Sequence, residues 1–86
     1  MKIEISFANR DRLLELGLTI AVLRKMKGMT QEQLAEKAGI SRAHLSNIEA
    51  PNTVTNFSID SLYRIADALD MRAGDLLNAP FPGGKS

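Results

Sequence analysis

Between residues 30 and 49, apolar side chains recur at helical spacing in two short groups that a single glycine separates. The first group is Leu34, Ala35 and Ala38, and the second is Leu45 and Ile48. Each group lies on one face of a short helix whose other faces are polar. Gly39 lies between the groups, where a helix commonly ends in the left-handed conformation that glycine adopts at little cost. The pattern predicts two short helices joined by a sharp turn.

Capping residues mark the start of both predicted helices. Thr30 can act as an N-cap, and Gln33 three residues later completes the spacing of a capping box. Ser41 supplies a second N-cap directly after the turn. Two short helices joined by a turn that contains glycine form a helix-turn-helix, whose second helix enters the major groove of DNA.

A longer helix is predicted before the motif, from Asn9 as its N-cap to about Lys27, where Gly28 ends it. Its apolar stripe is Leu13, Leu16, Ile20 and Leu23. Gly17, inside this helix, costs about 1 kcal/mol relative to alanine. We therefore expect Gly17 to let another helix approach closely.

Two more helices are predicted after the motif, beyond a loop that contains Pro51. Ser58 is the N-cap of the fourth helix, and a short fifth helix covers residues 73–78. The predicted core face of the fourth helix is Ile59, Leu62, Ile65, Ala66 and Leu69.

Residues 2–7 alternate polar and apolar side chains, a pattern typical of a β-strand. A lone strand must pair or fray, so we expect it either to pair with a second subunit or to fold back on its own domain. The sequence thus predicts an all-α, five-helix domain over residues 9–78, with a short N-terminal strand or arm over residues 1–8. Residues 79–86, rich in proline and glycine, predict a flexible tail.

The chain has 86 residues, which suits one small domain. Hydrophobic residues make up 44% and charged residues 24%, a globular rather than a disordered composition. No apolar run has the length of a membrane span or a signal peptide, so we expect a cytoplasmic protein without a membrane partner. Cysteine is absent and histidine occurs once, so we expect no enzyme, no metal site and no cofactor.

Charge is unevenly distributed, although the net charge is only +1. Residues 20–49 carry five cationic side chains and three carboxylates, whereas residues 57–78 carry two cationic side chains and four carboxylates. The region of the predicted helix-turn-helix therefore carries a net positive charge, whereas the region after it is negative. This asymmetry would orient the protein weakly towards the phosphate backbone of DNA.

Many spaced positions together resemble the lambda Cro and repressor type of helix-turn-helix regulator, the Xre-like family. The matching positions are Ile20, Arg24, Thr30, Gln31, Leu34, Ala35, Gly39, Ile40, Ser41, Leu45, Ser46, Ile48, Glu49, Leu62, Ile65, Ala66 and Leu69. The resemblance covers most of the chain, about residues 16–77. It implies a lambda-repressor-like five-helix fold and sequence-specific binding of double-stranded DNA.

Helix geometry and the resemblance together indicate which residues would read DNA bases. The candidates are Arg42, Ala43, Ser46 and Asn47, on the face of the second motif helix away from its apolar stripe. Arg42 can donate two hydrogen bonds to guanine O6 and N7, and Asn47 can pair with adenine N6 and N7. Ala43 offers a methyl group to a thymine methyl, and Ser46 could also contact sugar or phosphate. Without the resemblance, these residues would be an ordinary solvated face.

A second set of residues is expected to contact DNA phosphates. The candidates are Gln31, Ser41, His44, Asn52, Thr53 and Arg24. Gln31 matches the family's phosphate-binding glutamine at a helix start, where backbone amides favour anions, although it could serve only as part of the cap. His44 could equally be an exposed side chain without a role. Residues 50–56 carry no charge, so we expect reduced affinity and a shallow salt dependence.

Arg24 and Glu49 match a pair that, in the family, joins the first helix to the end of the recognition helix. A carboxylate at this position holds the guanidinium, which could then also face a phosphate. For Glu49 a purely structural role is the expectation, whereas for Arg24 the structural and the phosphate-binding roles both stay open.

The resemblance implies a transcriptional repressor that acts as a homodimer on a palindromic operator, because one short helix reads only a few base pairs. One alternative is an antitoxin that binds a toxin protein and represses its own operon, with residues 2–7 or 79–86 holding the toxin. Another is a protein-binding adaptor on the same fold, which the uncharged loop would favour.

Overall fold

The structure, a computed structural model, describes residues 7–78, and these residues form five helices and no strand. The helices are α1 (Phe7–Met26), α2 (Gln31–Ala38), α3 (Arg42–Glu49), α4 (Ile59–Ala68) and α5 (Ala73–Leu77). The prediction of an all-α, five-helix domain is confirmed. Apart from Phe7 and Ala8, the predicted N-terminal strand or arm and the predicted tail lie outside the described residues. None of the described helices is both long and apolar enough to cross a membrane.

The start of α1 differs from the prediction. Phe7 is its first residue, so Phe7 does not belong to a strand, and Asn9 lies within the first turn rather than at the N-cap. Asn9 Oδ1 accepts a hydrogen bond from Arg12 Nη1 at 3.2 Å. No glycine or proline occurs in residues 1–16, so nothing in the local sequence prevents the helix from beginning before Asn9.

The helices pack as a closed ring around a single core: α1 against α3, α3 against α2, α2 against α4, α4 against α5, and α5 against α1. The largest fully buried side chains are Ile20, Leu34, Leu45, Ile65, Leu69 and Leu76. Every helix contributes to this set, with Leu69 at the C-cap of α4. Burial of each such side chain stabilises the fold by about 1.5–3 kcal/mol relative to exposure.

The predicted core faces of α1 and α4 hold only in part. In α1, Ile20 is fully buried, whereas Leu16 and Leu23 are only partly buried and pack against the core from its edge. Leu13 was also expected in the core, but it is half-buried and does not pack against it. In α4, Ile59 was expected in the core but is 66% exposed. Ile59 and Asp60 both face solvent because the core closes over α4 only from its second turn onwards, beginning with Leu62.

Gly17 determines how closely α1 approaches the C-terminal end of α3. A Cβ atom at this position would overlap the carbonyl oxygen of Ile48. The expectation that Gly17 permits a close approach is therefore confirmed, and the neighbouring element is the last turn of α3. This contact fixes the end of the helix that carries the candidate base-reading residues.

Candidate nucleic-acid interface

The first element of the candidate interface is the N-terminus of α2, which a complete capping box defines. Thr30 Oγ1 accepts a hydrogen bond from the Gln33 amide at 3.0 Å, and Gln33 Oε1 accepts one from the Thr30 amide at 2.9 Å. Two backbone amides that would otherwise lack partners are thus satisfied. The predicted cap is confirmed, and it sets where Gln31 begins the helix.

The turn between α2 and α3 is held by backbone geometry. Gly39 has a φ of 73°, the left-handed conformation expected of a glycine at this position. The Ile40 amide donates to the Ala35 carbonyl at 3.0 Å, which closes the turn. Ser41 then caps α3, and its hydroxyl oxygen accepts from the His44 amide at 3.0 Å. The direction of α3 therefore follows from local hydrogen bonds.

The polar face of α3 projects into solvent. Leu45 and Ile48 are buried on the opposite side, with exposed fractions of 0% and 3%. Arg42 and Asn47 are exposed, and neither side chain has a hydrogen-bond partner among the described residues. Ala43 is exposed beside them. Two polar side chains and one methyl group are therefore available to an external ligand.

Two other candidates on α3 are less accessible. Ser46 and His44 are both half-buried, so each presents only part of its side chain to solvent. The Ser41 hydroxyl oxygen accepts the capping hydrogen bond from the His44 amide, and its O–H group remains able to donate to a phosphate. The sequence alone did not separate these partly covered positions from Arg42 and Asn47.

A buried hydrogen-bond network lies behind this face and joins α1, α2 and α3. Arg24 Nε donates to Glu49 Oε2 at 2.8 Å, and Arg24 Nη2 donates to Glu49 Oε1 at 2.9 Å. Arg24 Nη1 also donates to the Met29 carbonyl oxygen at 2.7 Å. The two side chains are 9% and 4% exposed, so the bidentate pair is largely withdrawn from water.

Gln31 joins this network. Its Nε2 atom donates to Glu49 Oε1 at 3.0 Å, which ties the start of α2 to the end of α3. An amide nitrogen carries two hydrogens, so one remains for a further acceptor such as a phosphate oxygen. Sequence reasoning missed this bond and the contact with the Met29 carbonyl. No local pattern signals either one, because Gln31 and Glu49 are 18 residues apart.

The loop after α3 is attached to the helix it follows. Thr55 Oγ1 donates to the carbonyl oxygen of Asn47 at 3.0 Å, which uses the only proton of that hydroxyl. Asn52 and Thr53 are exposed, and their side chains have no hydrogen-bond partner in the described part of the chain. The loop therefore offers neutral donors beside the polar face of α3.

The arrangement matches a known family. The helix-turn-helix family model matches residues 20–76, which include α2, α3 and α4. The chain belongs to this helix-turn-helix family, the Xre-like group that its motif resembles.

Individual relatives share the matched region. The HTH-type transcriptional regulator SinR of Bacillus licheniformis is 43% identical over 63 residues, which is 73% of this chain and 56% of the relative. Antitoxin HipB of Escherichia coli O6:H1 is 33% identical over 57 residues, which is 66% of this chain and 58% of the relative. The chain thus spans little more than half the length of these two curated relatives.

A solved structure has a similar fold. The restriction-modification controller protein C.AhdI from Aeromonas hydrophila superposes with a TM-score of 0.69 at 30% identity. The match covers 77% of this chain and 96% of that one.

Proposed function

We propose that the chain binds double-stranded DNA in a sequence-specific manner and represses transcription as a homodimer on a palindromic operator. The observation that carries the proposal is the exposed, unpartnered pair Arg42 and Asn47 on α3. These two side chains can form the bidentate contacts that distinguish guanine and adenine in the major groove. Relatives named as transcriptional regulators support the same function.

The proposed phosphate contacts surround this face, and they are Gln31, Ser41, His44, Asn52 and Thr53. Gln31 keeps one amide hydrogen free, and the loop residues have unoccupied donors, so all can bind phosphate oxygen without breaking the fold. Such contacts set the register of the protein on the duplex. Most of these donors are neutral, so few counterions are released and the affinity should depend only weakly on salt.

Arg24 is better suited to a positioning role than to direct contact with DNA. Its side chain is 9% exposed and already donates to Glu49 and to the Met29 carbonyl. We assign the Arg24–Glu49 pair the function of holding α3 and the start of α2 in one fixed arrangement. A phosphate would then contact Gln31, which the same carboxylate orients.

The homodimer follows from the size of the reading element. α3 has eight residues and can read only a few base pairs, so useful selectivity requires two copies on related half-sites. An antitoxin remains the second candidate because a relative at 33% identity carries that name. Copurification of a second small protein from the native host would favour the antitoxin, whereas purification of the chain alone would favour a free-standing repressor.

Replacing Arg42 or Asn47 with alanine should weaken binding to a selected operator by about 1–3 kcal/mol each. The reason is that each change removes a bidentate contact with one base per half-site, so base preference at that position should also relax. Arg72→Ala is the matched control, since it removes one exposed positive charge at the start of α5, outside the helix-turn-helix. Mobility-shift titration measures the affinities. Equal losses for Arg42→Ala and Arg72→Ala, with unchanged base preference, would reject base reading by Arg42.

A further inference from the structure

α1 is apolar on two opposite sides. One side carries Ile20, which is fully buried in the core. The other side carries Leu14, Leu18 and Val22, spaced four residues apart so that they form one stripe along the helix. Leu18 is 47% exposed and Val22 is 39% exposed, while Leu14 is half-buried. Leu18 and Val22 thus keep apolar surface open to solvent in the described part of the chain, and we call this second stripe the outer face of α1.

The charges at the two ends of the outer face are opposite. Asp11 lies seven residues before Leu18, and Lys25 lies seven residues after it. Seven residues are close to two helical turns, so both charges lie on nearly the same side of the helix as Leu18. Both side chains are exposed, and neither forms an ion pair within residues 7–78.

This pattern is self-complementary under a two-fold rotation through Leu18. The rotation brings Leu14 of one subunit to Val22 of the other, and Asp11 to Lys25. We propose that the outer face of α1 binds a second copy of this chain, with the two α1 helices antiparallel and the Leu18 side chains in contact at the axis. The interface then contains two Leu14–Val22 pairs and two Asp11–Lys25 ion pairs, because every contact of an isologous interface occurs twice.

The geometry of helix pairs allows both kinds of contact at once. Asp11 and Lys25 each lie about 10 Å from Leu18 along the helix, given a rise of 1.5 Å per residue. At the shallow crossing angle of about 20° that is common for antiparallel helices, side chains at this distance still reach their partners. A differently charged partner helix could also cover the stripe, but only a second copy is certain to carry Lys25 opposite Asp11.

The interface should be weak. One helix pair buries less than the roughly 1,600 Å² that stable complexes commonly bury, so a dissociation constant in the micromolar range is expected. The contact concerns free protein and does not depend on DNA binding. It names the surface of the homodimer and so rests on the dimer part of the proposed function. Its test uses protein without DNA, so a failure here is distinguishable from a failure of sequence-specific DNA binding.

Cysteine substitution tests the two-fold axis directly, since the chain has no cysteine of its own. Under mild oxidation, Leu18→Cys should form a covalent dimer because the two thiols meet at the axis. Val22→Cys is the matched control on the same stripe. In the antiparallel pair the two copies of residue 22 are about 12 Å apart along the helices, too far for a disulfide. Mixing Leu14→Cys with Val22→Cys should give a mixed covalent dimer.

Charge reversal tests the ends of the outer face. Asp11→Lys and Lys25→Glu should each weaken self-association about tenfold, because each places like charges together at both ends of the interface. The double variant should restore the wild-type dissociation constant. Sedimentation of the DNA-free protein over a range of concentrations measures all three. Crosslinking of Leu18→Cys no faster than Val22→Cys, or a double variant as weak as the single ones, would overturn the proposal.

Discussion

Replacing Glu49 with alanine should lower the free energy of unfolding by about 3–5 kcal/mol, the cost of removing one member of a buried ion pair. Glu49 accepts from Arg24 Nε and Nη2 and from Gln31 Nε2, so its loss leaves three donors without their acceptor. The guanidinium of Arg24 would remain in a site that is only 9% exposed. Urea denaturation of wild type and variant measures the difference.

Three further variants separate charge from general destabilisation. Glu36→Ala removes an exposed glutamate from α2 and should change the stability by less than about 0.5 kcal/mol. Glu49→Gln keeps an oxygen acceptor and should lie between wild type and Glu49→Ala. Replacing Arg24 with methionine and Glu49 with leucine together should recover much of the loss, because no buried charge is left alone. If Glu49→Ala were as stable as Glu36→Ala, the network would not hold α3 in place.

The second large effect is expected at Gly17. Gly17→Ala should destabilise the fold by about 1–3 kcal/mol, the usual cost of forcing an extra carbon into a packed site. Helix propensity alone would favour alanine by about 1 kcal/mol, so steric overlap must outweigh that gain. It does so because the atom in the way is a backbone oxygen of Ile48, which cannot rotate aside as a side chain does.

Gly74→Ala is the matched control for this change. Gly74 is also helical, but a Cβ there would meet no atom within 4 Å, so alanine should be neutral or stabilising. Thermal unfolding of the two variants gives the comparison. DNA affinity should fall for Gly17→Ala alone, since the overlap displaces the end of α3. Equal stability of both variants would show that α1 and α3 can separate at no cost.

The parts of the fold that could be predicted are those set by local signals. The capping box at Thr30, the glycine turn at Gly39 and the serine caps at Ser41 and Ser58 each depend on residues within a few positions of one another. Helical periodicity then gave most of the core. These features are visible in a sequence because the groups that interact are neighbours along the chain.

The parts that could not be predicted depend on distant contacts. Gln31 and Glu49 meet only because the turn folds α2 and α3 together, and neither residue signals this locally. The exposure of Ile59 depends on where the core ends rather than on its own helix. Base-reading roles for Arg42 and Asn47 came from a family resemblance, and the structure adds only that both side chains are exposed and unpartnered.

The central claim is that α3 reads DNA sequence in a dimer, and selection from random double-stranded DNA tests it most directly. The protein is incubated with the library, bound sequences are amplified over several rounds, and the enriched pool is sequenced. We expect a palindromic consensus whose half-sites are about one helical turn of DNA apart. When the Arg42→Ala variant is used instead, the base preference at one position of each half-site should be lost. A pool that shows no enrichment over the starting library would contradict the account and favour a protein-binding role for this surface.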